Sequence, residues 1–171
     1  VALVSDAGTP GVSDPGEQLV DACLNAGVRV DVLPGASAIL TALVASGLPT
    51  HAFYFGGFLP RKAGERMRAL QALGTLDATL VFYESPGRTA STLASLAEAF
   101  PGRQAALARE LTKLHEEVAR AEVGELAERF AGRELKGEVV LLIGPPLPQQ
   151  QLSLDENAVR ESLDALAAAG V

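Results

Sequence analysis

A chain of 171 residues, 48% of them hydrophobic and 20% charged, is long enough for one ordinary domain or two small ones and is not a wholly disordered polypeptide. Its net charge of −7 argues against a generally basic nucleic-acid-binding surface without excluding a local one, and its one cysteine, Cys23, rules out an intrachain disulfide. There is no run of about 18 apolar residues to span a bilayer and no signal-peptide pattern, so a soluble, reducing compartment is the default expectation.

The chain opens on an apolar run, residues 1–4, that reads as a strand, followed by SDAGTPGVSDPG at 5–16 and an amphipathic helix pattern over 17–25. Asp14, Pro15 and Glu17 suit N-cap, first and third helical positions. The helix start is thus already supplied with carboxylates. The loop lacks the Lys of a Walker A motif and the GxGxxG spacing, so it suits a neutral or cationic ligand with amine and hydroxyl donors better than a phosphate. Asp6, at the strand tip, would hold such a donor; a well-capped turn with no ligand is the alternative.

Gly27 is a natural end for the helix, and residues 28–33 read as a second strand leading into PGASA at 34–38, where Ser37 caps an apolar helix over 39–45 stopped by Gly47 and Pro49. Two small-residue loops would then lie side by side at the carboxyl ends of adjacent strands. Because Val1 falls inside a strand pattern and Val171 stops where a helix would be capped, the chain reads as a piece of a longer protein.

Residues 48–59, LPTHAFYFGGFL, read as a connection, with His51 a polar linker residue. A basic amphipathic helix comes next over 61–73, concentrating Arg61, Lys62, Arg66 and Arg68 against Glu65; it is either a local polyanion contact or a solvated helix face. Residues 78–83 read as a strand, Ser85 and Pro86 as cap and first position of a helix reaching 89–100, and 104–109 as a further strand. Then come a strand at 117–123, a short helix at 124–130 and a buried strand at 138–143, so the second half is an α/β unit with about four strands. The tail from 151 carries Asp155, Glu156, Glu161 and Asp164 against Arg160.

Ionisable residues are densest in ARELTKLHEE, 108–117. Arg109 and Lys113 suit phosphate or backbone oxygens, and Glu110 or Lys113 can hold or deprotonate a hydroxyl; surface ion pairs of little consequence are the alternative. His115 with Glu116 and Glu117 lacks the HExxH spacing, and no metal site is expected.

Six motifs in order, SDAGTPGVSDPG, LPGASA, FYFGGFLPRK, VFYESPGR, ARELTKLHEE and GEVVLLIG, closely resemble the ribosomal RNA small subunit methyltransferase I family, within the tetrapyrrole methylase superfamily, over residues 1–145. The resemblance implies an α/β fold of two domains. Residues 1–48 would be the end of a cofactor-binding N-terminal domain, 49–60 an interdomain linker, 61–146 a complete C-terminal α/β domain, and 147–171 the start of a small helical domain. The activity implied is methyl transfer from S-adenosylmethionine to the ribose 2′-hydroxyl of a cytidine in the decoding region of 16S rRNA, by a cytoplasmic homodimer acting on the small ribosomal subunit without membrane or metal.

Carried over by position, Asp6, Ala7, Gly8, Thr9, Ser37 and Ala38 would contact the cofactor, and Tyr83, Ala108 and the backbone near Gly137 would close its pocket. Glu110 and Lys113, with Glu84 behind them, are the candidates for a base or a charge that stabilises the developing alkoxide, and Arg61, Lys62, Arg66 and Arg109 would hold RNA phosphates. The family's first glycine-containing strand-loop is not matched, which implies an incomplete pocket. Two other readings stand beside this one: a superfamily relative that methylates a tetrapyrrole or another small acceptor, and a non-catalytic dimerisation or RNA-binding fragment.

Overall fold

Strands covered on both faces carry near-continuous apolar runs, and two segments do: β2, Thr79–Glu84, through its central residues 80–82, and β5, Val139–Ile143, which is apolar and buried throughout. The computed structural model describes residues 2–5, 8–13 and 15–147. Its five strands form one sheet in the order β1-β2-β5-β3-β4, with β1 at Phe53–Phe58, β3 at Gln104–Arg109 and β4 at Glu117–Glu122. β1 pairs parallel to β2, whereas β5 runs antiparallel to both β2 and β3. The carboxyl ends of β1, β2 and β3 therefore share one edge of the sheet.

Helices cover the two faces unequally. Leu80, Phe82, Leu107, Leu141 and Ile143 pack with Leu70 of α3 (Ala63–Ala72), Leu93 and Leu96 of α4 (Thr89–Ala99) and Leu126 and Phe130 of α5 (Val123–Phe130). The opposite face, with Val81, Ala106, Ala108, Val140 and Leu142, is covered by Ile39, Ala42 and Leu43 of α2 (Ala38–Ser46). Arg120 on β4 secures that helix from its far end, its Nε donating to the Ala45 and Ser46 carbonyls at 3.0 and 3.1 Å, where helix carbonyls have no intrahelical partner.

Local chemistry explains the helix ends. Ser37 caps α2, its Oγ accepting from the Leu40 N–H at 3.4 Å, and Gly47 ends it in the left-handed region at φ 71°. Ser85 and Pro86 open a short 3-10 turn, Pro86–Arg88, from which α4 continues. The start of α1, Glu17–Asn25, differs from expectation: Gly16 takes the cap position and Glu17 is the first helical residue, without a side-chain cap. Asp14 and the tail beyond Leu147 lie outside the described residues.

Three further expectations are corrected. Residues 2–5 and 28–33 form no strand, and apart from half-buried Val30 their apolar side chains stay exposed, Val4 and Leu33 each at 83%. A strand exists only by exchanging backbone hydrogen bonds with a neighbour, and none of the described strands borders either segment. Conversely, 49–60 contains β1, so any linker ends before Phe53, and the sheet has five strands where about four were expected.

Candidate functional site

Directly opposed residues on neighbouring strands share a face. Near the carboxyl ends of β2 and β3, Tyr83 stands opposite Val140, Val140 opposite Ala108, and Ala108 opposite Val118. This row faces α2 and forms one apolar cluster with Ala38, at the helix start, and Leu111, just after β3. Three of the expected cofactor residues, Ala38, Tyr83 and Ala108, are thus brought together although they are far apart in the chain.

Ser37 directly precedes this cluster, and its hydroxyl is engaged in capping α2. The first loop reaches the second through Thr9, whose Oγ1 donates to the Ala36 carbonyl at 3.4 Å. Gly8, at φ 74°, also lies against it, since an added Cβ there would meet the Ala36 oxygen at 3.9 Å. The expected loop residues Asp6 and Ala7 lie outside the described residues.

The segment between β3 and β4 carries the ionisable groups. Glu110 and Thr112 both have positive φ, 50° and 63°, a conformation that non-glycine residues rarely adopt and that here is held by surrounding bonds. The Glu110 carboxylate accepts from the Glu138 N–H at 3.0 Å and from Lys113 Nζ at 3.1 Å, and Lys113 also pairs with Glu138 at 3.0 Å. Gly137 is required beside it: at φ 86°, a Cβ would come within 2.1 Å of Glu110 Oε1.

These bonds set the electrostatics. The backbone N–H of Glu138, followed by the Lys113 ammonium, holds the Glu110 carboxyl below the ordinary carboxylate range. Glu138, then Glu110, pushes Lys113 up from the usual lysine value. Lys113 is therefore a firmly protonated cation, suited to stabilising negative charge on an oxygen, and Glu110 is a weakly basic carboxylate suited to orienting that cation. Glu138 was missed in the sequence because its pairing to Lys113 spans the fold and leaves no local motif.

Three predicted residues are placed elsewhere. Glu84 is buried on the face opposite Tyr83, where it accepts from Thr92 Oγ1 at 2.6 Å and from the Ser85 N–H at 2.7 Å and pairs with Arg88 at 3.3 Å. Its oxygens are engaged in joining β2 to α4. Arg66 is buried and donates to Ser95 Oγ at 3.0 Å, to the Arg61 carbonyl at 3.2 Å and to the Pro60 carbonyl at 3.4 Å, so it acts as an internal staple. Arg109 pairs with Glu117 at 3.1 Å and donates to the Lys136 carbonyl at 3.2 Å, while Glu117 also holds Arg133 at 2.8 Å. Arg61 and Lys62 are exposed, with Lys62 3.2 Å from Glu65.

Among the described residues no group of three His, Cys, Asp or Glu side chains is placed to hold a metal ion, and no described helix is long and apolar enough to cross a membrane.

Comparison with known proteins bears on this arrangement. The chain is 52% identical over 147 residues to a Ribosomal RNA small subunit methyltransferase I of Mesorhizobium japonicum, an alignment covering 85% of this chain and 50% of that protein. The chain spans about half the length of the curated relatives it matches. Among solved structures it resembles the methyltransferase CobJ at TM-score 0.59 and 26% identity, covering 81% of this chain and 62% of that one. It also resembles a Thermus thermophilus Uroporphyrin-III C-methyl transferase, described as complexed with S-adenyl homocysteine, at TM-score 0.54 and 25% identity, covering 80% and 62% respectively. The family model of the Tetrapyrrole (Corrin/Porphyrin) Methylases matches residues 1–127, and the chain belongs to that family.

Proposed function

We propose that this chain takes part in S-adenosylmethionine-dependent methylation of the ribose 2′-hydroxyl of a cytidine in the decoding region of 16S rRNA, on the small ribosomal subunit, in the cytoplasm and as a homodimer. The observation that carries the reading is the 52% identity over 147 residues with a protein named for methylation of small-subunit ribosomal RNA. The structural neighbours named as uroporphyrin-III C-methyltransferases share 24–28% identity, which favours the RNA acceptor over a small one.

The loops fit such a cofactor. Residues 8–13 and 34–38 contain no cationic side chain, and Gly8, Ala36 and Ala38 leave the backbone open to close approach. Walls of that kind suit a sulfonium nucleoside with no phosphate. When bound, the cofactor supplies an electrophilic methyl carbon. The residues of this chain supply position and charge: partly exposed Ala38 and Tyr83 form an apolar wall backed by buried Ala108, and alignment of reacting atoms can account for as much as ~7–11 kcal/mol of a barrier. Lys113, kept protonated by Glu138 and Glu110, stabilises negative charge developing on the ribose oxygen. Arg61 and Lys62 contact RNA phosphates at the exit of β1.

The test is mass spectrometry of 16S rRNA from cells lacking the gene. A missing ribose methyl on one cytidine, restored by the intact gene, is the expected result, and unchanged rRNA methylation overturns the reading. Complementation with Lys113→Ala should restore at least ~10-fold less methyl at equal protein level, the scale on which loss of a charge stabiliser acts.

A further inference from the structure

β1 is not a regular strand. Its register against β2 steps from Phe55↔Val81 to Phe58↔Tyr83, so β1 advances by one residue more than its partner. Gly57, at φ 61°, adopts the left-handed conformation that a bulge of this kind uses. Simple alternation would place Phe58 on the face opposite Phe55; the bulge returns it to the same face, opposite Tyr83.

The result is a row of three rings. Tyr83 meets Phe55 edge-on with centroids 5.0 Å apart and meets Phe58 at 5.6 Å. The row continues across the sheet into Val140 and Ala108, buried under α2 behind the candidate site. Phe55 at the inner end joins the core under α2, but Phe58 at the outer end is 57% exposed. Core packing does not account for that ring. The first loop lies next to it, since a Cβ on Gly57 would sit 3.5 Å from Ser13 Oγ.

Residues 59–62 indicate which kind of partner the ring faces. Leu59 is buried, and the Leu59, Pro60 and Arg61 carbonyls are held by Arg88 and Arg66, including Arg88 to Leu59 at 2.9 Å. The backbone that carries exposed Arg61 and Lys62 is thereby held in place a few residues beyond the ring, with Lys62 paired to Glu65. A flat, half-exposed aromatic followed three and four residues later by an exposed arginine and lysine matches a polyanion that carries flat rings of its own.

We infer that Phe58 is a stacking platform for an unpaired base of the RNA substrate, at or next to the methylated nucleotide, with Arg61 and Lys62 on the neighbouring phosphates. The inference rests on the RNA reading above. Sequence-specific RNA recognition generally splays a base out of its helix onto an aromatic face, and the stack tolerates any base. Gly57 is then the device that aims the ring.

The test uses the complete gene product with small ribosomal subunits purified from cells lacking the gene. Methyl transfer by the unmodified protein checks the underlying reading; if it transfers none, that reading and this inference fall together. Where it does transfer, Phe58→Ala and Phe58→Leu should each raise the KM for subunits about tenfold, the loss of one base–aromatic stack, with the KM for S-adenosylmethionine and the urea midpoint unchanged. Phe58→Trp should restore the subunit KM. Unchanged subunit KM in Phe58→Ala, or Phe58→Leu behaving like the unmodified protein, overturns the inference while leaving the activity assigned. A loss confined to the cofactor KM also overturns it, assigning the ring to the cofactor.

Discussion

Val81 and Val4 both lie in short apolar runs preceding a loop, yet Val81 is fully buried between β1 and β5 while Val4 is largely exposed. The same contrast separates Leu107 from Leu33 and runs through the molecule. From Ala38 to Ile143 the chain supplies both partners of each ladder and a helix layer for each sheet face. From residue 2 to 36 it supplies apolar patterning and one helix, α1, with no buried residue. Apolar spacing nominates an element, but ladder partners and a covering layer are what make one.

The largest expected effect tests that contrast directly. Leu107→Ala, in the buried cluster between the sheet and α4, should cost about 2–5 kcal/mol, whereas Leu33→Ala should stay within about 0.5 kcal/mol. Urea unfolding followed by far-ultraviolet circular dichroism measures both. Similar losses at the two leucines would break the comparison.

Glycines sharpen it. A Cβ on Gly56 would come within 2.5 Å of the Phe82 ring, so Gly56→Ala should destabilise by about 1–3 kcal/mol through overpacking. Gly35 has nothing within 4 Å of such a Cβ, and Gly35→Ala should leave the urea midpoint unchanged. A silent Gly56→Ala would mean that β1 is not packed on β2 as described.

The smallest effect concerns ion pairs and pH. Arg133 first, and then Arg109, hold the Glu117 carboxyl below its ordinary range against the opposing effect of burial. A carboxyl whose folded pKa is depressed contributes stability that is fully present above its unfolded pKa and is lost as pH falls through the folded one. The unmodified chain should therefore lose stability below pH about 4.3, the ordinary glutamate value, more steeply than Glu117→Gln does. Urea midpoints measured across acidic pH decide it; equal slopes for the unmodified chain and Glu117→Gln would sink the claim.

How much was legible depended on the range of the interaction involved. Ser37 as a cap, Gly47 as a stop and Ser85-Pro86 as a helix entry were readable because each acts within a few residues of itself. The gathering of Ala38, Tyr83 and Ala108 was anticipated through family resemblance alone, since no local spacing relates a helix start to two strand ends. Glu84 and Arg66 read as chemistry because burial of a charged side chain has no signature in sequence; their partners are Thr92 and Ser95 on α4. Glu138 escaped notice for the same reason, as did the strand at Phe53–Phe58, whose two glycines suggested a turn where they form a bulge.

By itself the sequence determined the α/β class, both ends of α2 and the entry to α4, the strands rich in consecutive apolar residues and the loops without cations, because caps, periodicity and local charge are short-range properties. Tertiary structure alone decided which apolar runs found a ladder partner, which charges were sealed in as staples and which stayed at the edge, and on which face Phe58 stands. Those outcomes depend on hydrogen-bond partners and burial contributed by segments distant in the chain, and a one-residue bulge suffices to reverse a face.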